Sequence, residues 1–241
     1  ASGASKAVVI GSTVAVSAAA ASELRSMGLS VDRIQGSNRY DTNVEVYKAG
    51  RRLGVDWSDK LIVATGEGYA DALSISSYAY RNAAPILLAT PTSGLSADAV
   101  SAIGSGSFSS AVIVGSNVVV SDWVDFAQLP ALGVASERVA GPTRYETSAK
   151  VAEWCVKQGM GMDGAVFASG EGFADALAAG PLAGRSNAAL MLVRDPSSPA
   201  IALAGKHADG VSKAWVVGSS VVVDNHTMQT IADTLGLKPE N

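Results

Sequence analysis

The chain has 241 residues, 48% of them hydrophobic and 17% charged, which is enough apolar material for one large or two ordinary packed domains without help from metal or disulfide. A single cysteine, Cys155, excludes an intrachain disulfide and a thiolate zinc site. The net charge of −4, the pI of about 5.2 and the lack of any lysine or arginine run argue against nucleic acid or a polybasic membrane patch, and no stretch reaches the roughly 18 apolar residues of a membrane helix. Ala1 to Ser5 shows no basic region followed by an apolar core, so an exported form is expected to have its signal peptide outside this sequence.

Residues 7–12, Ala-Val-Val-Ile-Gly-Ser, read as a strand buried on both faces, with Val14 and Val16 following in alternation. A helix is expected from Ser17 to Met27 with Gly28 as its stop, and a strand from Val31 to Gly36. Asn38 then caps a helix that carries Val44 and Tyr47 and ends at Gly54. Leu61 to Thr65 reads as an all-apolar strand, followed by a Gly-Glu-Gly turn and a helix through Ala70 to Tyr80. Pro85 to Ala89 is a strand, Ser96 to Ile103 a helix, and 104–110 a serine/glycine loop.

From there the text repeats. Ala111 to Val120 copies Ala7 to Val16, and Arg33, Gly36, Arg39, Tyr40 and Thr42 reappear as Arg138, Gly141, Arg144, Tyr145 and Thr147. Thr143 with Glu146 makes a full capping box in the second copy. The turn Gly66-Glu67-Gly68-Tyr69-Ala70-Asp71-Ala72-Leu73 returns as Gly170-Glu171-Gly172-Phe173-Ala174-Asp175-Ala176-Leu177, and Arg81 returns as Arg185. The Val-x-Gly-Ser run appears a third time at 216–219, ahead of a helix to Leu235. Counted from Arg33, the units are 33–137 and 138–241, with 1–32 as the C-terminal remnant of a preceding repeat; a count from Lys6 is equally open.

Short apolar strands alternating with helices predict an α/β fold, tandem repeats of a mainly parallel βα module. In such sheets the strand-to-helix turns share one edge, where ligands usually bind. Arg39, Tyr40, Glu67 and Asp71 fall on that edge, as do Arg144, Tyr145, Glu171 and Asp175. The aspartates stand in first helical turns, where a carboxylate gains about 0.3 to 1 kcal/mol from free amides. An arginine at the same end of a helix is disfavoured, so Arg39 and Arg144 are expected to have acidic partners, Glu67 or Asp71 and Glu171 or Asp175. A glutamate in the glycine turn conflicts with a phosphate-cradling loop. With His207 and His226 as the only histidines and no Gly-x-Ser-x-Gly elbow, a Ser/His/Asp hydrolase is disfavoured and no catalytic residue is assigned. The four tryptophans do not recur at one repeat position and read as packing, except that Trp123, in a turn after Ser121-Asp122, is a candidate for exposure.

The linked motifs Arg-x-x-Gly-x-x-Arg-Tyr-x-Thr at 33–42 and 138–147, Ser/Thr-Gly-Glu-Gly-Tyr/Phe-Ala-Asp-Ala-Leu at 65–73 and 169–177, and Val-x-Gly-Ser resemble the bacterial cell wall-binding repeat 2 family, the surface-anchoring modules of Gram-positive bacteria. The resemblance implies a Toprim-like module, secretion to the cell wall or surface, no cofactor or metal, and non-covalent attachment to an anionic glycopolymer such as a secondary polysaccharide or teichoic acid. It also implies three repeats about a pseudo-threefold axis, so two full copies here leave room for association with further repeats or another chain. The motif positions it points to are Arg39, Tyr40, Glu67, Asp71, Arg144, Tyr145, Glu171 and Asp175; Arg81 and Arg185 are further cations for an acidic polymer. Two other readings stand beside it: a metal-dependent hydrolase or phosphotransferase using Glu67/Asp71 and Glu171/Asp175, and a purely structural or adhesive surface protein.

Overall fold

A computed structural model describes residues 3–238. Three sheets follow one another along the chain. Strands β1 (Lys6–Ile10) and β2 (Ser30–Ile34) form a parallel pair bridged by helix α1 (Ala18–Ser26). Next come α2 (Arg39–Arg52), β3 (Lys60–Thr65), α3 (Ala70–Ser74), α4 (Ser76–Arg81), β4 (Ile86–Thr90), β5 (Gly94–Leu95), α5 (Ala97–Gly104), β6 (Ser110–Val114) and β7 (Ala135–Val139). Their five strands lie in the order β5-β4-β3-β6-β7, all parallel except the short β5. The third group is α6 (Arg144–Lys157), β8 (Gly164–Ser169), α7 (Ala174–Arg185), β9 (Leu190–Val193), α8 (Pro199–Gly205), β10 (Lys213–Val217) and α9 (Asn225–Leu235), with the parallel order β10-β8-β9.

The mixed α/β fold of tandem, mainly parallel units follows from the strands. β8 is buried at all six positions and β3 at five of six, so helices cover both faces and apolar alternation is not needed. β1 pairs with β2 as β6 pairs with β7, five residues against five, so the same two-strand unit is built twice. β7 carries Arg138 and completes the five-stranded sheet.

Two expected features differ, and one element was not foreseen. The valines that alternate after each Val-x-Gly-Ser run lie in turns, with Val14, Val118 and Val221 pointing outward, because Gly11, Gly115 and Gly218 adopt positive φ and end the strand. The helix expected over 70–80 is divided at Ile75, where Ser74 and Ser76 turn their hydroxyls back onto Ala70 and Leu73 carbonyls. A π-helical turn, Val124–Gln128, stands where the β1–β2 unit has α1.

The two large units share a core rather than sitting as beads. Tyr78 of α4 meets Trp154 of α6 edge to face at 4.8 Å, within one cluster that also holds Ile62, Val112, Phe167 and Met191. Leu73 is buried among Tyr145, Val166 and Leu190 of the second unit. Along the seam α4 lies on α7 at two glycines: a Cβ at Gly180 would stand 2.4 Å from Ser76 Oγ, and one at Gly184 2.6 Å from the Ser77 carbonyl. Ser77 Oγ also accepts from Leu190 N–H at 3.2 Å, and Ser148 Oγ from Leu192 N–H at 2.8 Å, so hydroxyls seal the open edge of β9.

Candidate functional site

Each repeated motif residue has a definable place. Arg138, at the end of β7, donates to the carbonyls of Gly115 and Val120 and pairs with Asp125 at 3.1 Å; Arg33 donates to the Gly11 carbonyl at 2.5 Å. These arginines fasten the glycine turns. Gly36 and Gly141 accept no side chain, since a Cβ would fall 2.4 to 2.5 Å from Cβ of Asp41 and Glu146, and their N–H groups donate to Thr42 and Thr147.

Asn38 caps α2 by accepting from Tyr40 and Asp41 N–H, and Thr143 caps α6 while its hydroxyl meets Glu146. The caps aim Tyr40 and Tyr145 across the sheet edge at the glycine turns. There Gly66 and Gly170 lie flat against the phenol rings: a Cβ would meet them at 2.3 Å and 2.6 Å. Tyr40 Oη donates to Glu67 at 2.5 Å, and Tyr145 Oη donates to Glu171. Burial first, then the adjacent carboxylate, pushes the Tyr40 phenol up to about 12 and raises that of Tyr145 in the same way.

The expected arginine–glutamate pairs are therefore a correction. The glutamates take tyrosine hydroxyls, and the arginines take carbonyls: Arg39 Nη1 donates to Gly66 at 2.7 Å and Arg144 Nη1 to Gly170 at 2.6 Å. A guanidinium at a helix N-terminus thus finds a backbone dipole instead of a charge. Anchored through Nη1 alone, both arginines keep Nε and Nη2 without a partner among the described residues, a fork that suits phosphate or carboxylate.

The aspartates also differ from expectation. Asp71 stands in the first turn of α3 but makes no capping bond; its carboxylate faces the loop after β6, where a Cβ on Gly115 would come within 2.6 Å of Oδ2. Asp175 meets Gly218 in the same way, at 3.0 Å. Asp71 has no hydrogen-bond partner among the described residues, and burial raises its carboxyl above the ordinary value against the pull of Arg144.

These groups converge between the units. A cavity of about 430 Å³ is lined by Glu67, Asp71 and Ser116 from the first unit and by Thr143, Arg144 and Thr147 from the second. Tyr69 closes one side: its ring lies under the Arg144 guanidinium at 5.5 Å, its hydroxyl accepts from Arg144 at 3.1 Å and donates to the Glu171 carbonyl at 3.0 Å. Sequence reasoning passed over Tyr69, although the aromatic at that position in both glycine turns was the available signal. Arg81 and Arg185 are not brought to the groove; they end α4 and α7 and are exposed at the opposite edge of the sheets. No group of three His, Cys, Asp or Glu side chains among the described residues is placed to hold a metal.

The motifs that build this groove are those of a known family: Cell wall binding domain 2 (CWB2) matches over residues 33–125 and 138–228. The chain belongs to the CWB2 family. It is 31% identical over 197 residues to N-acetylmuramoyl-L-alanine amidase LytC of Bacillus subtilis (strain 168), covering 81% of this chain and 38% of that protein. It is 30% identical over 227 residues to the amidase enhancer of the same organism, covering 94% and 29%. The CWB2 chain thus spans about a third of the length of these curated relatives. Among solved structures, Cwp8 from Clostridium difficile matches with a TM-score of 0.82 and 26% identity, over 98% of this chain and 39% of Cwp8. Cwp6 from the same organism matches in fold, with a TM-score of 0.72 and 24% identity over 83% of this chain and 31% of Cwp6. Membership gives this chain two copies of a cell-wall-binding domain. No helix among the described residues is long and apolar enough to cross a membrane.

Proposed function

We propose that the chain is a non-catalytic anchor that holds a secreted protein to an anionic wall glycopolymer, a secondary polysaccharide or teichoic acid, through the groove between its two large units. The observation that carries this reading is the pairing of Arg144, fixed through one nitrogen with its fork free, with Asp71, a half-buried carboxylate without a partner among the described residues. The fork suits an acidic group and the carboxylate suits a sugar hydroxyl. Arg39, Tyr40 and Glu67 repeat the arrangement of Arg144, Tyr145 and Glu171, so a second contact point of the same chemistry is available on the first unit. The repeats are taken as 33–137 and 138–241 and each unit as Toprim-like, a reading supported by the recurring parallel strand-helix order.

Association with a further repeat or chain belongs to the same proposal. Leu73 is 7% exposed because the second unit covers it, whereas its counterpart Leu177 is 58% exposed beside Phe173, the counterpart of Tyr69. The relatives named as an amidase and an amidase enhancer support the idea that the attached protein acts on or near the wall. Cosedimentation with purified walls, before and after acid extraction of their anionic polymers, tests the anchor: binding should be lost with the polymers and weakened by salt. Equal binding to stripped walls would remove the proposal.

A further inference from the structure

The loop that lines the groove also carries an aromatic pair that the fold does not use. Trp123 and Phe126 stand at the carboxyl edge of β6, with ring centroids 5.3 Å apart and planes at 89°, and are 50% and 65% exposed. The indole N–H of Trp123 has no partner among the described residues. Packing does not require these rings. The same positions hold Ala19 and Ser22 after β1, and His226 and Gln229 after β10, and all four are exposed. Only this copy replaces the α-helix that follows with a π-helical turn, Val124–Gln128, and such turns are frequent at functional sites.

The surroundings of the pair are prearranged. Asp125 is held by Arg138 at 3.1 Å, and Arg138 Nη2 lies 3.5 Å from Asp122. Asn117 donates to Asp122 at 3.1 Å, which fixes two polar side chains in the segment just ahead of Trp123. Two carboxylates against one guanidinium leave this segment acidic, which favours hydroxyl donors and repels phosphate. Ser116 and Val119, in the same loop, line the inter-unit groove, so the loop that reaches the groove is the one that carries the pair. Two rings offer the area of one sugar, far less than the 800 Å² that a protein partner would cover.

We infer that Trp123 and Phe126 form a stacking platform for a neutral pyranose ring of the wall glycan, with Asn117 and Asp122 bonding its hydroxyls, next to the acidic groups gripped in the groove. The inference rests on the cell-wall reading of the groove. Its test is a titration of the chain with glucose, mannose and N-acetylglucosamine tetrasaccharides at millimolar concentration, following the indole N–H resonance of each tryptophan. The Trp123 resonance should move with at least one sugar while that of buried Trp154 stays. In wall cosedimentation, a Trp123→Ala/Phe126→Ala variant should bind roughly five- to tenfold more weakly at an unchanged melting temperature, whereas Val221→Ala should bind as the parent does. An unmoved Trp123 resonance with all three sugars, or full wall binding by the double variant, overturns the platform. So does a Trp123 resonance that shifts with protein concentration alone, which would make a second copy of the chain the occupant. If the parent fails to bind walls, the anchor proposal falls and the tetrasaccharide arm still judges the platform.

Discussion

Asp71 is the residue at which binding and stability pull apart. Its carboxyl is raised by burial, so the folded state holds the proton more tightly than the unfolded chain and stability falls as the pH rises from the ordinary carboxylate range through the raised value. Asp71→Asn is therefore expected to leave the melting temperature at neutral pH unchanged or higher, and to lower affinity for walls. A drop in both would make Asp71 a structural tie instead. Tyr145 has the opposite balance: its ring covers Gly170 and its hydroxyl serves Glu171. Tyr145→Phe should cost about 1 to 2 kcal/mol in denaturant titrations, near the lower end for bonds to charged groups because Glu171 is exposed. For Tyr40 the raised phenol predicts stability that is present below about pH 10 and lost as the pH climbs towards the folded value of about 12, readable as an alkaline fall in melting temperature that Tyr40→Phe makes shallower.

At the scale of elements, the seam between α4 and α7 decides whether the units stay together. Gly184→Ala improves helix propensity by about 1 kcal/mol. The new Cβ would lie 2.6 Å from a backbone oxygen, and overpacking costs about 1 to 3 kcal/mol, so the variant should be destabilised. Ser77→Ala removes the acceptor for the buried Leu190 N–H, with an expected loss of about 1 to 3 kcal/mol by the same titration. The elements themselves were readable. Asn38 and Thr143 announced α2 and α6, and the all-apolar run at 61–65 announced a buried parallel strand. What sequence could not carry were contacts across the seam. Gly180 and Gly184 read as weak helix residues until α4 lies against them, and the break at Ile75 depends on serine hydroxyls choosing carbonyls of their own helix.

For the molecule as a whole, the repeat pattern and the edge shared by the site residues were legible because motif spacing is preserved at 104 to 105 residues. The pairing inside the site was not. Charge alone suggested arginine to glutamate, whereas the phenol hydroxyl and the Gly66 and Gly170 carbonyls, which sequence does not place, took those roles. The groove belongs to neither unit and arises from their packing. The exposure of Leu177 beside Phe173 predicts that Leu177→Asp leaves folding intact and abolishes any concentration-dependent association seen by sedimentation velocity.

If wall polymer occupies the groove between the units, filling that groove must remove binding. The Ser116 side chain lines the cavity and makes no hydrogen bond among the described residues, so Ser116→Trp blocks the space without removing a known tie. The expected result is a melting temperature close to that of the parent together with at least tenfold weaker cosedimentation with polymer-bearing walls. A folded Ser116→Trp chain that binds those walls as tightly as the parent would contradict it.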